Sequence, residues 1–168
     1  MESHAKAFGH PIHPMLIVFP LGLLATSLVF DIIYLFTDNG KWSEIAYWLI
    51  AAGIIGGLLA APFGLLDWLA IPNDTRAKRV GLYHGAGNAV ILILFAISWL
   101  LRRDDPLEPG AWPIILSAVG VGLALITGWL GGELVDRLRV GVDDEAQLNA
   151  SSSLTAERPP TPGGRARA

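Results

Sequence analysis

Four long apolar blocks constrain this chain more than any other feature of its sequence. Each block is about 19 to 22 residues long, which is the length that spans the hydrocarbon core of a bilayer as an α-helix. The runs are continuously apolar rather than alternating, which argues against a transmembrane β-barrel. We therefore predict an all-α integral membrane protein, a four-helix bundle with a disordered C-terminal tail. The blocks are Met15–Phe36, Ile45–Leu66, Leu82–Leu101 and Trp112–Leu130.

The flanking residues set the predicted helix ends. His10 and His13 each precede a proline, which favours extended backbone at both, and Pro14 suits the first helical position because that position needs no N–H. The polar stretches 37–44 and 67–80 are predicted loops, and the acidic, serine- and proline-rich residues 142–168 are a predicted disordered tail. Residues 1–141 then form one transmembrane domain, with helices at about 14–36, 45–66, 81–101 and 112–134.

Small residues recur at four-residue spacing within three of the predicted helices. This spacing lets transmembrane helices approach closely, so we expect tight packing through these positions. The predicted packing positions are Gly53, Gly57 and Ala61, then Gly81, Gly85 and Ala89, then Gly120, Ala124, Gly128 and Gly132.

Positive charge is unequal on the two sides of the predicted bundle. Six cationic residues lie near the membrane on the side of the N-terminus, against three on the other side, and cytoplasmic segments carry the excess of Lys and Arg. We therefore predict that both termini are cytoplasmic. The six are Lys6, Arg76, Lys78, Arg79, Arg137 and Arg139, and the three are Lys41, Arg102 and Arg103.

Composition excludes several classes of function. The chain contains no cysteine, which rules out disulfides, thiol nucleophiles and clusters ligated by its own cysteines. The net charge of −3 is spread without a basic stripe, so nucleic acid is not an expected partner. No serine lies in a recognisable nucleophile motif. We predict no catalytic residue and expect that the chain is not an enzyme on its own.

Five ionisable residues are predicted to meet at the cytoplasmic end of the bundle: His10, His13, Asp67, His84 and Glu133. Together they are candidate ligands of one divalent metal ion, with the carboxylates as ligands or supports. Two of the histidines, from facing elements, are alternatively candidate axial ligands of one b-type haem.

A structural role for the same residues stays open. The histidines then anchor helices, with His84 donating to a backbone carbonyl or to Asp67, while Glu133 pairs with Arg137 one turn away. Asp31 lies about 25 Å beyond Pro14 along the first helix, so we expect it near the opposite surface, paired there or snorkelling.

An ordered set of motifs resembles the bacterial domain-of-unknown-function family 2231. The resemblance covers nearly everything except the tail and implies a four-helix protein of the bacterial inner membrane with no assigned activity. Some members are fused to Rieske-type iron–sulfur or other redox domains, which implies electron transfer, although this chain carries no Rieske ligand set. The motifs are Gly9–Pro14, Pro20, Asp31, Gly64–Trp68, Arg79–His84, Asn88, Gly131–Val135 and Val140–Val142.

Three functions therefore remain open at the level of sequence. The first is a small redox or metal-binding or haem-binding membrane module that exchanges electrons with a partner. The second is a non-enzymatic membrane subunit or scaffold, and the third is ion or proton transport through Asp31, His84 and Asp67. The expected partners are the lipid bilayer, a redox or other membrane protein, and a second copy in a homo-oligomer.

Overall fold

Four long α-helices form the molecule in a computed structural model that describes residues 1–154. They are α1 (Ile12–Thr37), α2 (Gly40–Ala70), α3 (Arg76–Leu101) and α4 (Ala111–Gly132), and a π-helical turn, Glu133–Arg137, follows α4. All four are long and apolar enough to cross a membrane. This confirms the predicted all-α four-helix membrane fold.

A short antiparallel hairpin precedes α1, formed by β1 (Lys6–Ala7) and β2 (His10–Pro11). Phe8 and Gly9 form its turn, both with positive φ. Beside the hairpin, a hydrogen bond to Glu2 raises the pKa of Lys6. The disordered tail predicted for residues 142–168 is described only in part. Residues 142–154 form turns only, and residues 155–168 lie outside the described residues.

The helices extend further into polar sequence than predicted. α2 begins at Gly40, where Asn39 Oδ1 accepts from the N–H of Lys41, and α3 begins at Arg76, where Thr75 Oγ1 accepts from the N–H of Lys78. The loops are therefore shorter than predicted. They comprise residues 38–39 and 71–75 rather than 37–44 and 67–80. Hydropathy marks the part of a helix that lies in hydrocarbon, whereas capping side chains mark where the helix ends.

The start of α1 also differs from the prediction. α1 begins at Ile12, so Pro14 is the third helical residue, and His13 is helical although it precedes a proline. Proline is tolerated there because the N–H groups of the first turn have no intrahelical acceptor. The extended backbone predicted at His10 is confirmed, since His10 belongs to β2.

Two antiparallel helix hairpins make up the bundle. α1 packs chiefly against α2, and α3 chiefly against α4, whereas contacts between the two pairs are fewer. We call α1–α2 the first hairpin and α3–α4 the second hairpin. The histidine end of the bundle is formed by the start of α1, the end of α2, the start of α3 and the end of α4. The opposite end is called the far end.

The second hairpin repeats the burial pattern of the first. Every buried residue of α1 has a buried counterpart 71 residues later in α3 or at its C-cap, and five buried residues of α2 have buried counterparts 67 residues later in α4. The hairpins are therefore structural repeats that face each other. The first set of pairs is Pro20/Ile91, Leu24/Phe95, Ser27/Ser98 and Asp31/Arg102. The second is Ala46/Pro113, Tyr47/Ile114, Ile50/Ser117, Gly53/Gly120 and Ala60/Thr127.

Glycines occupy equivalent close contacts within the two hairpins. A Cβ at Gly53 would lie 2.5 Å from Leu24 Cδ2, and a Cβ at Gly120 would lie 2.8 Å from Phe95 Cε2. Packing predicted at Gly57 and Gly81 is confirmed as well, against Leu92 and Trp68. At three other predicted positions, Gly85, Gly128 and Gly132, no described atom lies within 4 Å of an added Cβ. These three glycines face outward rather than into the bundle, so the prediction of tight packing is wrong at these positions.

Candidate functional site

His13 lies in the first turn of α1 and is half-buried against α2. Its Nδ1 is 3.1 Å from the backbone oxygen of Ala60. Since a carbonyl oxygen only accepts, Nδ1 carries the hydrogen, and the neutral ring keeps a lone pair on Nε2. The ring packs over Gly64, where a Cβ would lie 2.8 Å from His13 Cε1. Any larger residue at position 64 would push the imidazole away.

His84 has the same arrangement in the second hairpin. Its Nδ1 is 2.8 Å from the backbone oxygen of Thr127, and its ring packs over Gly131, where a Cβ would lie 3.1 Å from Cε1. His13 and His84 are 71 residues apart, as are the buried pairs of α1 and α3, and their carbonyl and glycine partners are 67 residues apart. The predicted donation of His84 to a backbone carbonyl is confirmed.

The two sites differ at Nε2. Asn88 Nδ2 lies 3.1 Å from His84 Nε2, and Asn88 Oδ1 accepts a 3.1 Å hydrogen bond from Thr127 Oγ1. The corresponding position in α1 holds Ile17, which has no polar atom in its side chain. His84 Nε2 is therefore engaged by an amide, whereas His13 has no equivalent donor at that position.

The two imidazoles lie at the same end of the bundle, in different hairpins. Each imidazole bonds to the partner helix of its own hairpin, His13 to α2 and His84 to α4. The structure thus places these two of the five predicted candidates at the same end of the bundle, each against its own partner helix.

The other three candidates have partners of their own. His10 is exposed in β2, with Nε2 3.3 Å from Ser153 Oγ. Asp67 accepts from Ser3 Oγ at 2.6 Å and from the N–H of His4 at 3.2 Å. Within residues 1–154, no group of three or more His, Asp or Glu residues could hold a metal ion.

Glu133 pairs with Arg76 at 2.6 Å, not with Arg137 as predicted. Glu133 and Arg137 lie in the π-helical turn, where residues five apart are in register, so the four-residue spacing no longer aligns them. The ion pair links the start of α3 to the end of α4.

A buried ion pair occupies the far end. Arg102 donates to Asp31 through both terminal nitrogens, at 2.6 Å to Oδ1 and 2.8 Å to Oδ2, and both side chains are 0% exposed. Ser98 Oγ accepts from Arg102 Nε, and Ser117 Oγ accepts from Nη2, both at 3.3 Å. The expectation that Asp31 is paired near this end is confirmed.

Arg102 itself was missed, because charge counting treats an arginine at a helix end as a surface residue. A readable signal was present, since Asp31 and Arg102 have the same 71-residue separation as His13 and His84. Two ionisable residues at matching positions of the two hairpins are candidates for contact where the hairpins face each other.

An apolar cluster separates the two polar ends. Leu24, Ile50, Ile91 and Phe95 form it, and each is at most 6% exposed. It lies midway along the helices, between the histidines and the ion pair. The two polar sites are therefore distinct.

Comparison with known proteins identifies a family but no characterised relative. A family model described as a predicted membrane protein (DUF2231) matches residues 9–144. Neither the curated proteins nor the solved structures contain a significant match.

Proposed function

Because the chain belongs to the DUF2231 family of predicted membrane proteins, we propose a function within the membrane: a small redox module in which His13 and His84 would hold one b-type haem. One observation carries the proposal, namely that each imidazole donates Nδ1–H to a carbonyl of the facing helix. Histidines that bind metals through Nε2 are commonly oriented in this way.

The chemistry of the donor set fits haem better than a divalent ion. An axial pair needs two nitrogens, whereas a structural or catalytic metal site needs three or four protein ligands. His13 and His84 come from different hairpins, which make fewer contacts with each other than the helices within either hairpin do. Asn88 Nδ2 contacts His84 Nε2, so a haem held through that nitrogen would compete with the amide. Bound haem would supply one-electron chemistry, and a partner protein would supply or accept the electron.

The roles of Asp67 and Glu133 in this proposal are supportive. Asp67 fixes the N-terminal segment through Ser3, and Glu133 fixes the start of α3 through Arg76. Both contacts hold the elements that carry the histidines. His10 is assigned no ligand role in this arrangement because its side chain is exposed.

The direct test is the optical spectrum of full-length protein purified in detergent from haem-replete cells. We expect a Soret band with about one haem per chain. His13→Gln and His84→Gln should each remove it, while His10→Gln, a matched change at an exposed histidine, should not. Protein that is folded but has no Soret band would overturn the haem proposal.

A second candidate is a non-enzymatic membrane subunit, and the double engagement of His84 favours it. With Thr127 O on Nδ1 and Asn88 on Nε2, the ring is fully hydrogen-bonded as a structural link between α3 and α4. This function predicts no Soret band, and it predicts that His13→Gln and His84→Gln still assemble with a membrane partner. The same purified proteins therefore separate the two candidates.

Ion or proton transport is less well supported. Asp31 is held by Arg102, and the apolar cluster lies between it and the histidines. A conducting path would need water through that cluster. Proteoliposomes should accordingly have no proton flux that depends on Asp31.

For the orientation, we propose that the histidine end faces the cytoplasm, in the bacterial inner membrane. Six Lys and Arg residues lie near the membrane at the histidine end against three at the far end, and cytoplasmic segments carry the excess of Lys and Arg. The chain has no cysteine, so single cysteines can report sidedness. In intact cells, a membrane-impermeant thiol reagent should label Asn39→Cys at the far end but not Asn73→Cys. The reverse pattern would refute this orientation.

A further inference from the structure

The two hairpins present nearly the same surface to each other. The four buried positions of α1 recur 71 residues later in α3 or at its C-cap, and at two of them serine matches serine and leucine matches phenylalanine. Shape alone therefore discriminates poorly between a first hairpin paired with a second one and a first hairpin paired with another first one. Something else must specify the pairing.

The Asp31–Arg102 ion pair, unlike the shape of the surface, distinguishes the correct pairing of hairpins from the wrong ones. Two first hairpins would bring two Asp31 carboxylates together, and two second hairpins would bring two Arg102 guanidinium groups together. Like charges in a buried site are strongly disfavoured, so such contacts act against the wrong partner. Only a first hairpin and a second hairpin place opposite charges in contact.

The surroundings of the pair are also specialised. Ser117, which accepts from Arg102, has Ile50 as its counterpart in the first hairpin. Ser98, the other acceptor, has Ser27 as its counterpart, whose Oγ donates to Leu24 O. The second hairpin is thus equipped to hold an arginine, and the first hairpin is only half equipped.

We propose that the hairpin interface is a recognition surface whose pairing specificity is set by Asp31 and Arg102, and that its partner can be the complementary hairpin of a second copy of this chain. Only residues 71–75 join the hairpins. At about 3.5 Å per extended residue, this linker can span roughly 17 Å. Transmembrane helices insert before they associate, so hairpins of two chains can exchange.

The test uses two full-length variants with different affinity tags. Arg102→Asp carries an aspartate in both hairpins, and Asp31→Arg carries an arginine in both. Expressed alone, each should accumulate in the membrane about tenfold less than wild type, because a buried charge faces its like. Expressed together, they should restore accumulation and co-purify, since each hairpin now finds an opposite charge in the other chain.

Two controls fix the interpretation. Co-expression of two differently tagged copies of Asp31→Arg should restore nothing. The double variant Asp31→Arg with Arg102→Asp should recover partly in one chain, and addition of Ile50→Ser should improve that recovery by giving the new arginine its second acceptor. Failure of the double variant to recover would overturn the charge specificity. Failure of the complementary pair to co-purify would overturn the second copy as partner.

Discussion

The first and second hairpins share a framework and differ in charge. They share most of their buried positions, two glycine contacts and the same histidine-to-carbonyl hydrogen bond. They differ at Asp31 and Arg102, at Ile17 and Asn88, and at Ile50 and Ser117. The shared positions determine how helices pack, and the differing positions make the two halves non-equivalent. Variants at matched positions therefore test which residues belong to which group.

The largest effect is expected where the hairpins differ most. Arg102→Leu leaves the Asp31 carboxylate buried without its partner, which should destabilise the protein by about 3 to 5 kcal/mol. The double variant Asp31→Leu with Arg102→Leu removes both charges and should recover most of that loss. Reversible unfolding in mixed micelles measures both. Equal destabilisation by the single and double variants would contradict the role assigned to the pair.

A smaller loss of stability is expected at the buried glycine contacts that the two hairpins share. Gly53→Ala and Gly120→Ala should each cost about 1 to 3 kcal/mol, because the added methyl group displaces Leu24 or Phe95. The same assay should give similar losses for both variants. Gly122→Ala is the matched control in α4, since nothing lies within 4 Å of its Cβ, and it should be nearly neutral. A loss at only one of the two buried positions would break the equivalence of the hairpins.

The smallest effect is expected at Asn88. Asn88→Leu removes the donor to His84 Nε2 and one acceptor of Thr127, and Thr127 keeps its bond to Ala124 O. We expect a loss of about 1 kcal/mol. Nitrogen-15 NMR of the imidazoles should show a changed Nε2 chemical shift for His84 and an unchanged one for His13. The reason is that α1 has Ile17, which carries no amide, at the position that matches Asn88. A change at both rings would mean that the sites are coupled.

Much of the fold could be predicted from the sequence. Continuous hydrophobicity identifies four spans, and it does so because a lipid-facing helix needs apolar residues on its outer surface. Trp129 and Leu125, for instance, are 66% and 74% exposed. The helix ends could not be predicted from hydropathy, since Asn39 and Thr75 cap helices within polar sequence.

The candidate site was predicted only in part. His13 and His84 lie at the same end of the bundle because each begins a helix whose register is fixed by packing against its partner helix. Asp67 and Glu133 instead bind Ser3 and Arg76, which come from a terminus and from the α2–α3 loop boundary. Such local partners leave no periodic trace in a single sequence. Arg102 could have been found from its 71-residue separation from Asp31.

The Asp31–Arg102 contact also bears on the origin of the protein. A dimer of identical single hairpins places the same residue on both sides of its axis, so an aspartate there can face only another aspartate. An acid facing a base at matching positions requires two copies that have diverged. In an origin by duplication of one hairpin, the charge pair would be younger than the duplication, whereas the histidines, identical in both halves, would be compatible with an ancestor of half this length.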